Sequence, residues 1–392
     1  MAIEGREDKR SGGRIRLGMV GGGEGAFIGA VHRIAARMDD HYELVAGALS
    51  ATAEKSRRSG EALGLPAERV YDDYASMAKA EAARADGIEA VAIVTPNYMH
   101  AGPAYAFLAA GVHVICDKPL TTSLAEARKL KAAADESGRI FAVTHNYTGY
   151  PLVRRAREMV QAGELGDIRL VQVEYPQDWL TTALEKTGQK QAEWRVDPAR
   201  SGAGGAIGDI GTHAYNLADY VSGLQLSELA AELTSFGAGR VLDDNVQIML
   251  RYANGARGAL WASQVAPGNE NGLRLRIYGT KGGLQWVQEN PNVLLWSPFG
   301  QSTRIVTRGG PDAGAAAARV TRIPTGHPEG YLEGFANIYA EIAAAIKAAR
   351  SGQKPPEGVQ FPTVDDGVKG LAFIEAAVES SRANGKWTKV PT

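Results

Sequence analysis

From Ile15 to about Asn146, short apolar runs alternate with longer stretches of helical period, the rhythm of a parallel sheet with crossover helices. Strands are predicted at Ile15 to Val20, Glu43 to Leu49, Ala90 to Thr95, His113 to Cys116 and Ile140 to Thr144. Several end at turn or polar residues. Open α/β sheets bind ligands outside the carboxyl ends of their strands, so a site is expected at that edge. After Asn146 the rhythm changes. A helix around Leu152 to Gln161 precedes a strand at Ile168 to Tyr175, an irregular stretch, and a helix beginning near Gly211. Val246, Ile248, Leu250 and Tyr252 then alternate with polar neighbours, as do Leu273, Leu275 and Ile277 with Arg274 and Arg276, the period of an antiparallel sheet. Ala253-Asn254-Gly255 lies between two such runs and predicts a hairpin, since Asn and Gly both tolerate positive φ. Gly309 to Ala318 reads as a mobile loop. Leu332, Phe335, Tyr339, Ile342 and Ile346 recur at helical spacing, and Val364 to Arg382 forms a last helix.

A chain of 392 residues exceeds what one hydrophobic core supports, and the change of rhythm divides it into domains at 14–146 and 147–392. Apolar residues make up 44% and charged residues 22%, with a net charge of -1, so nothing electrostatic points to nucleic acid or a membrane surface. No apolar run reaches a membrane span. The first fourteen residues are polar and charged, read as a disordered tail without the apolar stretch of a secretion signal. Cys116, the one cysteine, has no disulfide partner and no companions at metal-ligand spacing, which suits the cytoplasm.

Two chemical regions stand out. Val20-Gly21-Gly22-Gly23-Glu24-Gly25-Ala26-Phe27-Ile28-Gly29 follows the first strand and opens a helix, where small residues let the backbone approach a pyrophosphate. With Gly21 and Gly23 as the first two glycines of GxGxxG, the third falls at Gly29, three residues late, in an expanded loop. A tight turn is the plainer alternative. At the end of the second strand, where an acid binds the ribose of NAD, stands Ser50, followed by Lys55, Arg57 and Arg58. This segment leans toward the 2′-phosphate of NADP; a solvated helix face accounts for the same cations. Thr95-Pro96-Asn97, followed by His100, closes the third strand and turns toward the expected cofactor edge, or forms a turn without ligand contact.

Asp117-Lys118-Pro119 ends the fourth strand, placing an ammonium where it can steady negative charge on a reacting oxygen; an ordinary surface lysine is the plainer alternative. Gly208-Asp209-Ile210-Gly211-Thr212-His213 opens a helix, and the four-residue spacing brings Asp209 and His213 to one face. An imidazole can take a hydroxyl proton as hydride leaves carbon, with the aspartate binding substrate and favouring the imidazolium. A capping aspartate beside a core histidine fits the same residues. Two such ligands fall short of a zinc site, and no metal is expected.

The glycine loop, Thr-Pro-Asn, Asp-Lys-Pro and Asp-x-x-x-His in this order resemble the Gfo/Idh/MocA family, which includes glucose–fructose oxidoreductase and inositol dehydrogenases. The likeness runs from Arg14 to Trp387 and is most specific from Gly202 to His213. The family's Glu-Lys-Pro appears here as Asp117-Lys118-Pro119, and its histidine after the glycine loop corresponds to His32. The resemblance implies an α/β architecture: an N-terminal Rossmann domain and a C-terminal α+β domain with a large, mainly antiparallel, open-faced sheet. That face often pairs subunits, so a homodimer or homotetramer is expected, with the C-terminal helix free to pack back on the first domain. It also implies catalytic roles for Lys118, Asp209 and His213. Cofactor contacts are expected from Gly21, Gly23, Gly29, Ser50, Arg58, Thr95, Asn97, His100 and Lys118. Asn146, Tyr147, Trp194, Arg195 and His327 resemble substrate-side positions. Trp194 as plain core and Arg195 paired with Asp197 remain alternatives. The activity implied is NAD- or NADP-dependent oxidation or reduction of a secondary hydroxyl on a sugar, inositol or related cyclic polyol. The alternatives are a redox-neutral glycosidase or lyase that oxidises its sugar transiently, and a cofactor-sensing regulator, against which the retained proton-handling residues argue.

Overall fold

The computed structural model describes residues 13–188 and 197–391; the expected tail at residues 1–12 and both Trp194 and Arg195 lie outside the described residues. The five predicted N-terminal strands are β1 (Ile15–Gly21), β2 (Tyr42–Ala48), β3 (Ala90–Val94), β4 (His113–Cys116) and β5 (Phe141–Val143). They pair in parallel in the order β2-β1-β3-β4-β5. Alternate residues feed two cores. Val91, Ile93, Val114, Cys116 and Val143 meet Phe107, Leu124 and Leu130 on one side. Ile15, Leu17, Met19, Ala90 and Ala92 face the other, against Val31 and Ala35 of the Phe27–Met38 helix.

That second face is completed from far along the chain. The Tyr331–Arg350 helix lays Phe335, Ile338, Tyr339, Ile342 and Ile346 on it, a stripe at helical spacing. Ala90 and Ala92 leave room for its larger side chains. Polar contacts fix the register: the Tyr42 hydroxyl donates to the Tyr339 carbonyl at 2.9 Å, and His32 Nδ1 lies 2.8 Å from the Tyr339 hydroxyl. Pro362 and Thr363 then add to the sheet's edge, through Val143 N–H to Pro362 O at 2.9 Å and a bridge to Ala142. The Val364–Arg382 helix follows, with the bounds predicted, and packs on both the Leu124–Ser137 helix and the C-terminal sheet.

The second sheet has nine strands: β6 (Ile168–Pro176), β7 (Leu226–Thr234), β8 (Asn245–Tyr252), β9 (Arg257–Ser263), β10 (Arg274–Gly279), β11 (Gly282–Val287), β12 (Val293–Pro298), β13 (Arg304–Thr307) and β14 (Thr388–Lys389). Their order is β13-β12-β11-β10-β6-β9-β8-β7-β14, antiparallel throughout except for the β6/β9 pair. Val173, Ile248, Leu260, Leu275, Leu284 and Trp286 are buried on one face, while Met249 and Tyr278 are exposed on the other. Burying each such large side chain is worth roughly 1.5–3 kcal/mol, so a one-residue slip in any central strand would reverse a large sum.

Two local expectations are corrected. The predicted hairpin joins β8 to β9 through residues 253–256, but only Gly255 takes positive φ (92): Asn254 does not, its Oδ1 instead accepting from Ala256 N–H at 3.0 Å. The Gly/Ala-rich stretch expected as a mobile loop contains the Gly314–Arg319 helix. Small side chains let it lie on the Pro151–Gln161 helix, with Ala313 and Ala317 buried. Among the described residues, no helix is long and apolar enough to cross a membrane.

Candidate active site

The carboxyl edge of the first sheet faces the start of the Thr212–Ser222 helix, and the singled-out residues fall into two groups there. At the β1 end, Gly21 takes φ 79, and a Cβ there would lie 3.0 Å from the Val94 carbonyl. Gly23 donates to Leu49 O at 3.1 Å, and a Cβ would sit 2.6 Å from both that oxygen and Ser59 Oγ. Gly29, in the first turn of the helix, rests on Gly22, so any side chain would run into the Gly22 backbone. All three predicted glycines are therefore sterically required, and Gly22 joins them. The helix begins at Ala26 without a side-chain cap, leaving first-turn N–H groups toward the loop. This small-residue cradle fits a pyrophosphate.

The loop is fastened from two helices. Arg33 donates to the Gly22 carbonyl at 2.6 Å, and Ser59 Oγ accepts from Glu24 N–H at 3.0 Å. Ser50 follows Leu49 at the β2 end and is partly exposed. Arg58 is exposed and pairs with Glu24 of the loop (3.5 Å) and with Glu54 (3.3 Å), while Arg57 pairs with Asp72 at 3.2 Å. Arg58 thus stands at the loop already balanced by carboxylates.

Thr95 closes its own turn, donating to Met99 O at 3.0 Å. Asn97 reaches across to the second domain, its Nδ2 donating to Ser201 O at 3.2 Å. The expectation that His100 contacts a cofactor is corrected: its ring is buried, with Nδ1 2.8 Å from Pro119 O and Nε2 2.9 Å from Thr95 O. The His100 ring is wedged between the ends of β3 and β4, where the single N–H of a neutral imidazole donates to one of the two carbonyls.

Lys118 extends from the end of β4. Its Nζ donates to both the carboxylate Oδ1 (2.9 Å) and the main-chain carbonyl (2.6 Å) of Asp209. Asp117 stays behind, its Oδ1 accepting from Lys118 N–H at 2.9 Å and Thr144 Oγ1 at 2.8 Å. His32 Nε2 lies 4.0 Å from the same oxygen. Asp209 sits in a π-helical turn, Ile207–Gly211, and its second oxygen accepts from Gln264 Nε2 at 2.9 Å. The carboxylate expected to serve His213 is therefore shared between Lys118 and Gln264.

His213 is walled by rings: Tyr147 at 4.9 Å, His145 at 5.5 Å and Tyr175 at 6.4 Å between centroids. Burial pushes its imidazolium well below the usual range, the Lys118 and His145 charges push the same way, and Asp209 opposes them. His145 is pushed down to about 3, by burial first and then by Lys118. Both rings are neutral at pH 7. Behind them runs a polar chain: Tyr147 and Tyr175 join through their hydroxyls, Tyr175 donates to Asn271 Oδ1 at 2.7 Å, and Asn271 Nδ2 donates to Gln288 at 2.9 Å. Buried atoms without a hydrogen-bond partner include His145 Nδ1, Asn146 Nδ2 and His213 Nδ1, and both histidines feel the Lys118 charge. Groups of this kind, with a glycine cradle at the same sheet edge, fit a nicotinamide dinucleotide and a polar substrate.

Lys118, Asp209, His213, Asn146 and Tyr147 are thus brought together, whereas His327 is exposed on a turn whose carbonyl accepts from Arg308. Sequence reasoning missed His145, Tyr175, Gln264 and Tyr331. Tyr331 begins the Tyr331–Arg350 helix, and its hydroxyl is raised by burial and by the nearby Tyr147, Asp117 and Asp209. His145 alone carried a signal, as a histidine at the end of a predicted parallel strand.

Residues 15–145 match the oxidoreductase family with the NAD-binding Rossmann fold, and residues 153–285 match the GFO/IDH/MocA C-terminal domain. The chain belongs to the Gfo/Idh/MocA family. An oxidoreductase from Sinorhizobium meliloti is 59% identical, with TM-score 0.88 over 96% of this chain and 99% of that one. An inositol dehydrogenase homolog from Azotobacter vinelandii, solved with NADH and myo-inositol, is 36% identical, with TM-score 0.90 over 96% and 97% of the two chains. Levoglucosan dehydrogenase from Pseudarthrobacter phenanthrenivorans is 28% identical over 71% of this chain and 75% of its own. This chain is accordingly an oxidoreductase-family protein with an NAD-binding domain.

Proposed function

We propose that this protein transfers hydride between a nicotinamide cofactor and a secondary hydroxyl or ketone of a sugar, inositol or related cyclic polyol. The observation that carries the reading is the Lys118 ammonium, 2.9 Å from the Asp209 carboxylate, beside a neutral, buried His213. The cofactor, when bound, supplies the hydride acceptor at nicotinamide C4. Gly21, Gly22, Gly23 and Gly29 give its phosphates access to the main chain, and Ser50, Arg58, Thr95 and Asn97 border the same edge. During alcohol oxidation, His213 takes the hydroxyl proton as the carbon gives up hydride, and returns it in the reverse direction. A neutral imidazole is already the base this step needs, and general-base help of this kind is worth about 10²–10⁴-fold. Lys118 donates to the reacting oxygen and stabilises its developing charge, while Asp209 aims the ammonium. Tyr147 offers the substrate a ring wall.

Trp194, Arg195 and His327 enter as substrate contacts on family resemblance alone. The relatives with myo-inositol and levoglucosan support a polyhydroxylated ring as substrate class. The exposed sheet face carrying Met249 and Tyr278 supports a homodimer or homotetramer, and a single buried cysteine suits the cytoplasm. With Ser50 in place of an acid, NADP is the favoured cofactor of this reading. The test is reduced-nicotinamide absorbance on mixing the protein with NAD or NADP and a panel of inositols, aldoses and glycosides. Signal with one ring stereochemistry is expected. Substrate consumption without net nicotinamide reduction, or cofactor binding without any turnover, would overturn the reading.

A further inference from the structure

Asp209 has to hold an ammonium while sitting in a π-helical turn whose Ile207 and Ile210 pack into the core but leave the main chain beside Gly205 and Gly208 without side-chain support. What holds that turn comes from elsewhere in the chain. Between β7 and β8, the buried Asp243 directs one carboxylate oxygen to Gly205 N–H at 2.7 Å and the other to Ile207 N–H at 2.8 Å. The Asp243 carbonyl accepts from Ala206 N–H at 2.8 Å. Three successive amides leading into Asp209 are therefore fixed by one residue. The approach is so close that any Cβ at Gly205 would run into the Asp243 carbonyl. The next residue completes the frame: Asp244 O accepts from Gln264 N–H at 2.8 Å, and the Gln264 side chain donates to Asp209 Oδ2 at 2.9 Å.

We propose that Asp243 and Gln264 are positioning residues for the proposed reaction, holding Asp209 from the main-chain side and the carboxylate side so that it keeps Lys118 aimed at the reacting oxygen. This rests on the hydride-transfer reading for its kinetic consequence, but the anchor itself is a property of the folded chain. Burial pushes the Asp243 carboxyl up to about 6, with its hydrogen bonds to Gly205 and Ile207 opposing the rise, so it is an anion at neutral pH. An anion here also meets the positive end of the helix that continues to Ser222. Asparagine has the same shape but only one acceptor oxygen, so in Asp243→Asn its amide NH₂ faces a backbone N–H and one anchor is lost. Nothing else about the substitution alters the cofactor cradle, which lies at the β1 end.

The experiment combines steady-state kinetics, hydrogen exchange of the 204–212 segment and the rate at which an amine-acylating reagent labels Lys118, all on the full chain. For Asp243→Asn the expected result is a kcat lower by about tenfold to hundredfold, as for a misplacement near 1 Å, with the cofactor KM within about twofold. Exchange of the 204–212 amides should rise, and Lys118 labelling should quicken as Asp209 releases the amine. Gln264→Leu, which leaves the three amides anchored, should quicken labelling and lower kcat without changing that exchange. It alone decides if Asp243→Asn does not fold. Wild-type labelling and kcat in a folded variant would overturn the proposal. Labelling needs no substrate, so a protein that turns over no polyol would sink the hydride-transfer reading while still testing the anchor.

Discussion

At the glycine-loop end, nine consecutive residues from Gly21 to Gly29 shape the cradle with their main chain; at the Lys118 end, Lys118, His145, Asp209, Gln264 and Tyr331 come from five separated segments and act through side chains. The first end is local and sterically defined, so a substitution there acts through space. The second depends on two sheets and a distant helix keeping their places, so its chemistry is exposed to small displacements. The two ends should therefore fail differently.

The largest effect is expected from His213→Ala, which should cut turnover by about 10²–10⁴-fold while leaving the cofactor dissociation constant within about threefold, measured by fluorescence titration. Comparable loss of both would show that the two ends are not separable. Gly29→Val should do the reverse. Its side chain collides with the Gly22 backbone, an overpacking of about 1–3 kcal/mol, read as a roughly tenfold to hundredfold rise in cofactor KM with kcat near wild type at saturation.

The chemical end also marks stability through its buried imidazoles. Unfolded His145 takes a proton near pH 6.5, whereas in the folded protein it stays neutral to about 3. Between those values the unfolded state binds the extra proton, so stability falls as pH drops from about 6.5. His32 and His113, both pushed down to about 4, add to the same trend, and Asp243, raised to about 6, and Asp366, also raised by burial, oppose it. Replacing His145 by Asn should flatten the slope of unfolding free energy by about 1.4 kcal/mol per pH unit in denaturant titrations at pH 4–6. An unchanged slope would contradict its burial as the neutral form. The smallest effect belongs to Arg58→Ala at the cofactor end. On the NADP reading it should raise KM for NADP by roughly threefold to tenfold and leave NAD within about twofold, an exposed charged contact being worth about 1 kcal/mol. Equal changes for both cofactors would return Arg58 to its role as partner of Glu24 and Glu54.

Much of this was legible beforehand because it depends on short-range regularities. The parallel strands showed as short apolar runs, the Tyr331–Arg350 helix as a periodic stripe, and the glycine cluster as a turn needing close backbone approach. Asp209 and His213 were legible through their spacing in one segment. Their partners were not. That Asp209 also binds Lys118 and Gln264 depends on where β4 and β9 end relative to the π-helical turn, and no local pattern encodes that distance. His100 looked like an open ligand group but is buried between two strand ends. The alanine-rich stretch around Ala317 looked mobile because small residues seldom signal packing, yet smallness is what lets it lie on the neighbouring helix.

By itself, the sequence determined the strand and helix rhythm, the glycine cradle and the residue types available for proton transfer, since steric fit and hydrophobic period act over a few residues. Only the tertiary structure decided that the Tyr331–Arg350 helix covers the first sheet, that Tyr331 and His145 border the site, and that Asp243 anchors the turn carrying Asp209. Those contacts join residues far apart in the chain, where burial and hydrogen bonding select the partner only after both sheets have formed.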